Sequence, residues 1–311
     1  MIHLVTFSDE SMSRSRELCM SSASDYGVSE AHGCDIQSLQ TFREFRDNKR
    51  LFWGDSARQL RANRTPTRGF GFWSWKAMLV GYFLSDSCEN GDILIYADAG
   101  VEFLNNVSHI IDRMDQDIFL FANMWEHAHW CKRDIIDAIM PGAPWECFGK
   151  QVQASVIFFR VSDYTRAFVK EWLDWCLFEG GRLIDDSPSR GMNHPEFQEN
   201  RWDQAILTTL GYREGVRLHY WPASYCDGAA TYPRDYLDAR SNHPEFQENR
   251  HDQAILTTMA YRDRLGFHKW PARYNLGTPY QFDYEQGHYE DYYPTLFNHH
   301  RKRNHEWTNA A

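Results

Sequence analysis

The most informative segment of the chain is Gly91-Asp92-Ile93-Leu94-Ile95-Tyr96-Ala97-Asp98-Ala99-Gly100. Its middle is a short continuous apolar run, as expected for a central strand covered on both faces. Asp98 lies just beyond the C-terminal end of that strand, where open α/β sheets bind ligands. An aspartate followed by the small residues Ala99 and Gly100 could hold a divalent cation and let a diphosphate approach closely. The same triplet is equally compatible with an aspartate that caps the next helix.

A helix is predicted directly before this strand. Apolar residues recur at helical spacing from Trp75 onward, and the turn Glu89-Asn90-Gly91 then separates helix from strand. The helix follows the aromatic segment Gly69-Phe70-Gly71-Phe72-Trp73-Ser74-Trp75-Lys76.

Strands and helices alternate through the first two thirds of the chain, which favours a mostly parallel sheet. The predicted strands cover residues 1–7, 93–97, 117–121 and 152–160. Predicted helical segments cover residues 8–24, 40–61 and 106–114, and a further helix begins after Ser162 as its N-cap.

Composition limits the possible functions. A net charge of −10 argues against general nucleic-acid binding, which needs clustered Lys and Arg. The seven cysteines are odd in number and form no C-x-x-C pair, so we expect a reducing compartment, the cytoplasm, and no disulfide framework. The apolar run at the N-terminus is too short for a signal peptide, and no run is long enough for a membrane span.

The last third of the chain contains an internal duplication. Residues 193–209 recur at 242–258 with one change, Trp202 to His251, and the similarity extends over 193–223 and 242–272. Two copies are too few for a solenoid. We interpret the repeat as a tandem duplication or as an error in assembling the sequence.

Two histidine-bearing segments have alternative interpretations. His127, His129 and Cys131 are spaced by two, so on a strand they would share a face and could bind zinc; the other interpretation is a loop on the acceptor side of a site. Near the C-terminus, His299 and His300 precede the basic run at 301–303, which charge alone would describe as a solvated basic tail.

Several segments together resemble GT-A glycosyltransferases of the bacterial and viral surface-polysaccharide type. They are the first strand, the Trp-Ser-Trp-Lys helix, the Tyr96-x-Asp98-Ala99-Gly100 segment, the helical runs that begin at Asp203-Gln204 and Asp252-Gln253, and the histidine-rich basic tail. Gly100 replaces the last aspartate of the usual D-x-D motif. The resemblance implies an α/β fold with a GT-A-like, Rossmann-related mixed sheet flanked by helices. Residues 1–180 would form the nucleotide-sugar-binding core, and residues 181–311 an aromatic-rich acceptor-side region.

The implied reaction moves a sugar from a nucleoside diphosphate sugar to a glycan or another hydroxyl acceptor. A Mn²⁺ or Mg²⁺ ion would be held by Asp98, His299 and His300 and would bridge the diphosphate. The residues expected to bind the donor and its metal are Thr6, Trp73, Trp75, Lys76, Asp98, Ala99, Gly100, Arg301 and Arg303.

The duplicated segments supply the candidate base. Asp203-Gln204 and Asp252-Gln253 each open an apolar helical run and resemble the Asp-Gln motif in the sugar-binding part of several GT-A families. If the reaction inverts the anomeric centre, Asp203 or Asp252 is the expected base; retention stays open. We favour Asp203 because its spacing from the preceding helix is simpler. Helix capping with an exposed glutamine is the plainer interpretation.

Two other functions remain open from the sequence. Gly100 favours a catalytically inactive member of the fold that only binds glycans or partners. A metal-dependent hydrolase using Asp98 with the histidines is the second alternative, although no H-E-x-x-H motif supports it.

Overall fold

A computed structural model describes residues 1–60, 63–219, 226–227, 296–300 and 302–307. Two sheets are present in these residues, a six-stranded sheet in the order β2-β1-β3-β6-β5-β7 and a three-stranded sheet in the order β4-β9-β8. The strands are β1 (Ile2–Phe7), β2 (Glu30–Cys34), β3 (Ile93–Ala97), β4 (Val101–Phe103), β5 (Ile118–Glu126), β6 (Lys150–Arg160), β7 (Leu218–His219), β8 (Cys226–Asp227) and β9 (Phe297–His299).

Helices flank the large sheet, so the fold is mixed α/β as predicted. The longest are α1, α6, α9 and α10. The helices are α1 (Ser13–Asp25), α2 (Ile36–Leu39), α3 (Arg43–Asp47), α4 (Lys49–Trp53), α5 (Gly69–Phe72), α6 (Trp75–Asp86), α7 (Ser108–Ile111), α8 (Arg133–Ile139), α9 (Asp163–Leu177) and α10 (Trp202–Arg213).

The sheet is mixed rather than mostly parallel because β6 reverses direction. Strand β1 pairs in parallel with β2 and β3, whereas β6 is antiparallel to both β3 and β5. The predicted strand at 152–160 is therefore the reversed β6, inserted between β3 and β5. Alternation of strands and helices in the sequence does not reveal an insertion of this kind.

Strand β3 is the centre of the fold. All five of its residues are buried, which confirms the prediction of a strand covered on both faces. Leu94 and Tyr96 face a core with α6 and α9, while Ile93, Ile95 and Ala97 face a second core with α1. Burial of such apolar surface is the main favourable contribution to folding.

Other predicted elements are confirmed with shifted bounds. Ser162 caps α9, because its side chain accepts from the backbone of Thr165 while the Thr165 side chain accepts from the backbone of Ser162. The predicted helical segment 40–61 is instead broken into short pieces, and α4 ends at Trp53, before its C-cap Gly54, which has a φ of 50°. A positive φ is incompatible with continuation of a right-handed helix.

The predicted boundary at residue 180 stays a prediction. Helix α10 lies beyond it, yet Ala205, Ile206 and Leu207 pack into the same core as α6 and α9. The second copy of the duplication, residues 242–272, lies outside the described residues. Within the described part of the chain, none of the helices combines the length and apolarity required to cross a bilayer.

Candidate active site

A cleft of about 450 Å³ lies at the C-terminal end of β3. Strands β1, β5 and β6, the end of β3, the starts of α6 and α10, and the C-terminal segment all contribute to it. The residues used below are Trp73, Trp75, Lys76, Asp98, Ala99, Gly100, Asn123, Trp125, Gln153, Ser155, Arg201, Trp202, Asp203, Gln204, His299 and Arg303.

Asp98 is positioned by the sheet itself. It follows the last residue of β3, and its backbone N–H donates to the Ser155 carbonyl of β6 at 2.8 Å. Its Oδ1 accepts from the Tyr96 hydroxyl at 2.5 Å and lies 3.1 Å from Lys76 Nζ. The side chain is 38% exposed, so a carboxylate held on one side by the protein still faces the cleft.

Lys76 supplies a buried positive charge beside Asp98. Only 6% of its side chain is exposed, and Nζ donates to the Ala154 carbonyl at 3.1 Å. A buried ammonium group needs such partners, because burial without them strongly disfavours charge. The first turn of α6 therefore carries a fixed cation rather than a mobile surface lysine.

Strained backbone precedes both helices that enter the cleft. Phe70, Phe72 and Trp73 before α6, and Trp202 at the start of α10, have positive φ values although none is glycine. Each such residue costs on the order of 1–3 kcal/mol, and this strain concentrates at functional sites. The two turns place the rings of Trp73 and Trp202 against each other, with centroids 4.5 Å apart.

Asp203 is the buried carboxyl of the cleft. It is 3% exposed, and Oδ2 has no hydrogen-bond partner within the described residues. Burial raises the pKa of Asp203 to about 7; nearby Lys76 opposes this shift and Asp98 reinforces it. A group with this pKa exchanges a proton near neutral pH, as a general base must.

Polar side chains of β6 connect α10 to the cleft. Gln204 Nε2 donates to Gln151 Oε1 at 2.7 Å, and Gln204 Oε1 lies 3.5 Å from the Ala154 backbone nitrogen. Gln153 and Ser155 hydrogen-bond to each other and line the cleft. The glutamine after Asp203 is therefore tied to the sheet and is not an exposed residue of a simple helix cap.

The C-terminal segment returns to the end of β3. Strand β9 pairs with β4, and His299 lies opposite Val101. His299 is buried, and its Nδ1 lies 3.3 Å from Ser155 Oγ. Beyond it, the Asn304 side chain accepts a hydrogen bond from the Arg14 backbone N–H at 3.1 Å and so holds the segment beside α1. The preceding residue, Arg303, lines the cleft.

Two of the three predicted metal ligands line the cleft. Asp98 and His299 offer a carboxylate and an imidazole, a donor set that suits Mn²⁺ better than Mg²⁺, which prefers oxygen ligands. His300 lies elsewhere: its ring packs edge-on against Trp307 with centroids 5.3 Å apart, and Nδ1 accepts from Lys302. Of the three predicted ligands, Asp98 and His299 are therefore the two whose chemistry and place in the cleft suit a divalent metal.

Most of the other predicted site residues within the described part of the chain line the cleft. Trp73, Trp75, Ala99 and Gly100 line the cleft with Lys76 and Asp98. Thr6 is fully buried in β1 and is not among the lining residues. Arg301 and Asp252 lie outside the described residues.

Sequence reasoning missed several lining residues. Asn123, Trp125, Gln153, Ser155, Arg201 and Trp202 were not among the predicted site residues, although all line the cleft. The sequence pattern that could have identified Gln153 and Ser155 is the alternation of Gln151, Gln153 and Ser155 in an otherwise apolar strand. Polar residues at a spacing of two on a buried strand indicate one polar face.

The structure separates His127, His129 and Cys131. Residues His127–Trp130 form a 3-10 turn, so these residues do not share a strand face. His127 is buried with Nε2 3.0 Å from Thr209 Oγ1, and burial lowers its pKa to about 3. His129 instead lies 2.9 Å from Glu196.

No known protein family and no curated protein sequence matches the chain significantly. The solved structures similar to it include mouse xyloside xylosyltransferase 1, with a TM-score of 0.40 and 9% identity over 72% of this chain and 86% of that one. The galactosyltransferase LgtC has a TM-score of 0.39 and 14% identity over 79% and 82% of the two chains. The bifunctional glycosyltransferase WbbM has a TM-score of 0.40 and 12% identity over 92% and 51%. Similarity at this distance establishes neither a family nor an activity.

Proposed function

We propose that the chain is a glycosyltransferase that moves a sugar from a nucleoside diphosphate sugar to a hydroxyl of a glycan or another acceptor. The observation that carries the proposal is the composition of one cleft. It holds a buried carboxyl with an unpaired oxygen, Asp203, together with the buried cation Lys76 and the half-exposed carboxylate Asp98. A sugar hydroxyl would satisfy the unpaired oxygen of Asp203.

The donor diphosphate would lie at the end of β3. Gly100 lines the cleft there and presents no side chain to the incoming phosphates. Lys76 is fixed on one side and Arg303 lies at the rim, so positive charge is available where the diphosphate leaves. Preorganised charges of this kind stabilise charge that develops in the transition state.

A divalent cation would be held by Asp98 and His299. When bound, it would supply Lewis-acid stabilisation of the diphosphate leaving group. The protein's own contribution is to fix the two donor groups, with Tyr96 holding Asp98 and Ser155 contacting His299.

Asp203 would act at the acceptor. In an inverting transfer the acceptor hydroxyl gives its proton to Asp203 as its oxygen bonds to the anomeric carbon. The bond between that carbon and the diphosphate oxygen breaks, and the electron pair leaves with the diphosphate. A pKa of about 7 keeps a substantial fraction of Asp203 ionised at neutral pH, as this role requires.

The test is turnover of a panel of nucleoside diphosphate sugars, with and without Mn²⁺, measured as release of the nucleoside diphosphate. We expect metal-dependent release with at least one donor, and loss of that release in Asp98→Ala. The matched control is Asp174→Asn, which changes an exposed aspartate on α9 and should retain full turnover.

The other outcomes discriminate the alternatives. Tight donor or glycan binding without turnover would support an inactive binding protein, for which Gly100 at the cleft is the favourable observation. Hydrolysis of phosphate esters that lack a sugar nucleotide would support a hydrolase. Either result would refute the proposed transfer.

A further inference from the structure

A second cluster of metal-ligating side chains lies on β1 and β2, away from the cleft. His3 and Glu30 are directly opposite each other in the parallel pair, and His32 follows Glu30 by two residues. Because side chains alternate across a strand and paired residues share a face, all three lie on the same face of the sheet. Their ligand atoms are within 4.8 Å of one another.

Two of the three distances between the ligand atoms are close to the edges of a tetrahedral site. Glu30 Oε2 lies 3.5 Å from His3 Nδ1 and 3.6 Å from His32 Nε2. Ligands at usual zinc distances, about 2.0–2.2 Å from the ion, are roughly 3.3 Å apart in a tetrahedron. The imidazole nitrogens of His3 and His32 lie within 4.8 Å of each other, so closing the third edge requires these side chains to approach by no more than about 1.5 Å.

His3 provides the independent observation. Its side chain is 1% exposed, and within the described part of the chain neither ring nitrogen has a hydrogen-bond partner. The nearest polar atoms are carboxylate oxygens of Glu30, 3.5 Å from Nδ1, and of Asp92, 3.4 Å from Nε2, and contacts this long replace only part of the hydrogen bonding to water that burial removes. Coordination through Nδ1 would supply the missing interaction.

Asp92 lies beside the ring nitrogen of His3 that would not bind the metal. His3 Nε2 lies 3.4 Å from Asp92 Oδ2, on the opposite side of the ring from Glu30. Metal-bound histidines usually donate their second ring N–H to a carboxylate, which fixes the tautomer and the orientation of the ring. Asp92 is itself fixed by the Glu89 backbone N–H, which donates to it at 2.9 Å.

We infer that His3, Glu30 and His32 form a binding site for one divalent transition-metal ion of the Zn²⁺ class. Two imidazoles and one carboxylate suit zinc, and the half-exposed Glu30 leaves the remaining position open to solvent. The ion would tie the edge strand β2 to β1. Edge strands need such protection, because their unpaired backbone groups can recruit other chains.

The site is separate from the candidate active site. His3 pairs with Leu94, which is four residues before Asp98 along β3. Four residues of strand correspond to about 13 Å. Zinc binding here does not depend on the proposed sugar transfer, and either can fail without the other.

Direct metal binding to the chelator-treated full chain tests the inference. In the absence of nucleotide, we expect one Zn²⁺ per chain in equilibrium titration, visible absorption of a low-symmetry site with Co²⁺, and a higher unfolding temperature with Zn²⁺. Glu30→Gln and His32→Gln should each weaken Zn²⁺ binding at least about tenfold, and Asp92→Asn by about tenfold. Both ligands are partly exposed, so these variants should fold.

Three control variants locate the ion. Glu17→Gln on α1 removes an exposed glutamate and should leave binding unchanged. His194→Gln disrupts the other histidine cluster, His129, His194 and Glu196, and Asp98→Ala disrupts the cleft. The inference is overturned if the chain binds no Zn²⁺, or if Glu30→Gln and His32→Gln retain full affinity while His194→Gln or Asp98→Ala loses it.

Discussion

Replacing Asp203 with asparagine tests how much the burial of an ionised carboxyl lowers the free energy of unfolding. Burial raises the pKa of Asp203 to about 7, whereas the pKa of an aspartate in the unfolded chain is about 3.9. The protonated form is therefore favoured by folding. Its contribution to stability is fully present below the unfolded pKa and is lost as pH rises through the folded pKa.

The size of the effect follows from the difference in pKa. A difference of about 3 between the folded and unfolded pKa corresponds to roughly 4 kcal/mol of stability lost at pH values above the folded pKa. Between pH 5 and pH 8 the loss is about 3 kcal/mol, because part of it has already occurred below pH 5. The amide introduced by Asp203→Asn does not titrate, so the variant avoids this loss.

Urea unfolding of both proteins across this pH range is the assay. The free energy of unfolding of Asp203→Asn minus that of the native chain should rise by about 3 kcal/mol from pH 5 to pH 8. Asp174→Asn on the exposed face of α9 should show no such trend. A difference that does not change with pH would refute the burial-based pKa and with it the assignment of Asp203 as a base near neutrality.

The transfer activity of the native chain should rise with pH, whereas its stability falls. Transfer by the native chain should increase as pH rises through about 7, because only ionised Asp203 can accept the acceptor proton. Asp203→Asn should lower the turnover rate by about 10²- to 10⁴-fold. Greater stability with lower activity is the combination expected of a destabilised catalytic group.

Four further substitutions test the rest of the cleft. Asp98→Ala should keep the fold by circular dichroism and abolish Mn²⁺-dependent donor turnover; full activity would exclude Asp98 as a metal ligand. Lys76→Met should shift the midpoint of the pH–rate profile upward, since the ammonium lowers the pKa of Asp203, and an unchanged midpoint would contradict their coupling. Arg303→Ala should weaken binding of UDP or GDP in calorimetry about tenfold while leaving the unfolding temperature unchanged, and equal affinity would place Arg303 outside the diphosphate site. Asp252→Asn should lose less activity than Asp203→Asn, and equal small losses would mean that neither carboxylate is catalytic.

Local pattern was sufficient for the centre of the fold. The apolar run Ile93–Ala97, the helix from Trp75 and the capped helix after Ser162 are each encoded by neighbouring residues, and each is confirmed. Periodicity and capping are local properties, so one sequence reveals them. The reversal of β6 is a matter of long-range pairing and leaves no comparable pattern.

The candidate site was predictable only in part for the same reason. Asp98 and Asp203 were identified because each stands at the end of a recognisable strand or the start of a recognisable helix, and Lys76 because it belongs to the Trp-Lys segment of the family resemblance. Trp125 and Arg201 were not identified, since their position depends on how β5 and α10 meet. His299 and His300 are adjacent in sequence, and only pairing of β9 with β4 distinguishes the one at the cleft.

The pairing of Lys76 with Asp98 has a consequence for the missing second aspartate. A D-x-D motif brings two negative charges to the metal, whereas here Gly100 contributes none and Lys76 lies 3.1 Å from the remaining carboxylate. Positive charge already fixed in the cleft would compensate part of the diphosphate's charge without an ion. We therefore expect metal to enhance donor binding less than in a site with two aspartates. Lys76→Met should increase the dependence on Mn²⁺, because the ion would then be the main positive charge beside Asp98. If the variant instead bound donor equally well with and without Mn²⁺, the lysine would not be the compensating charge.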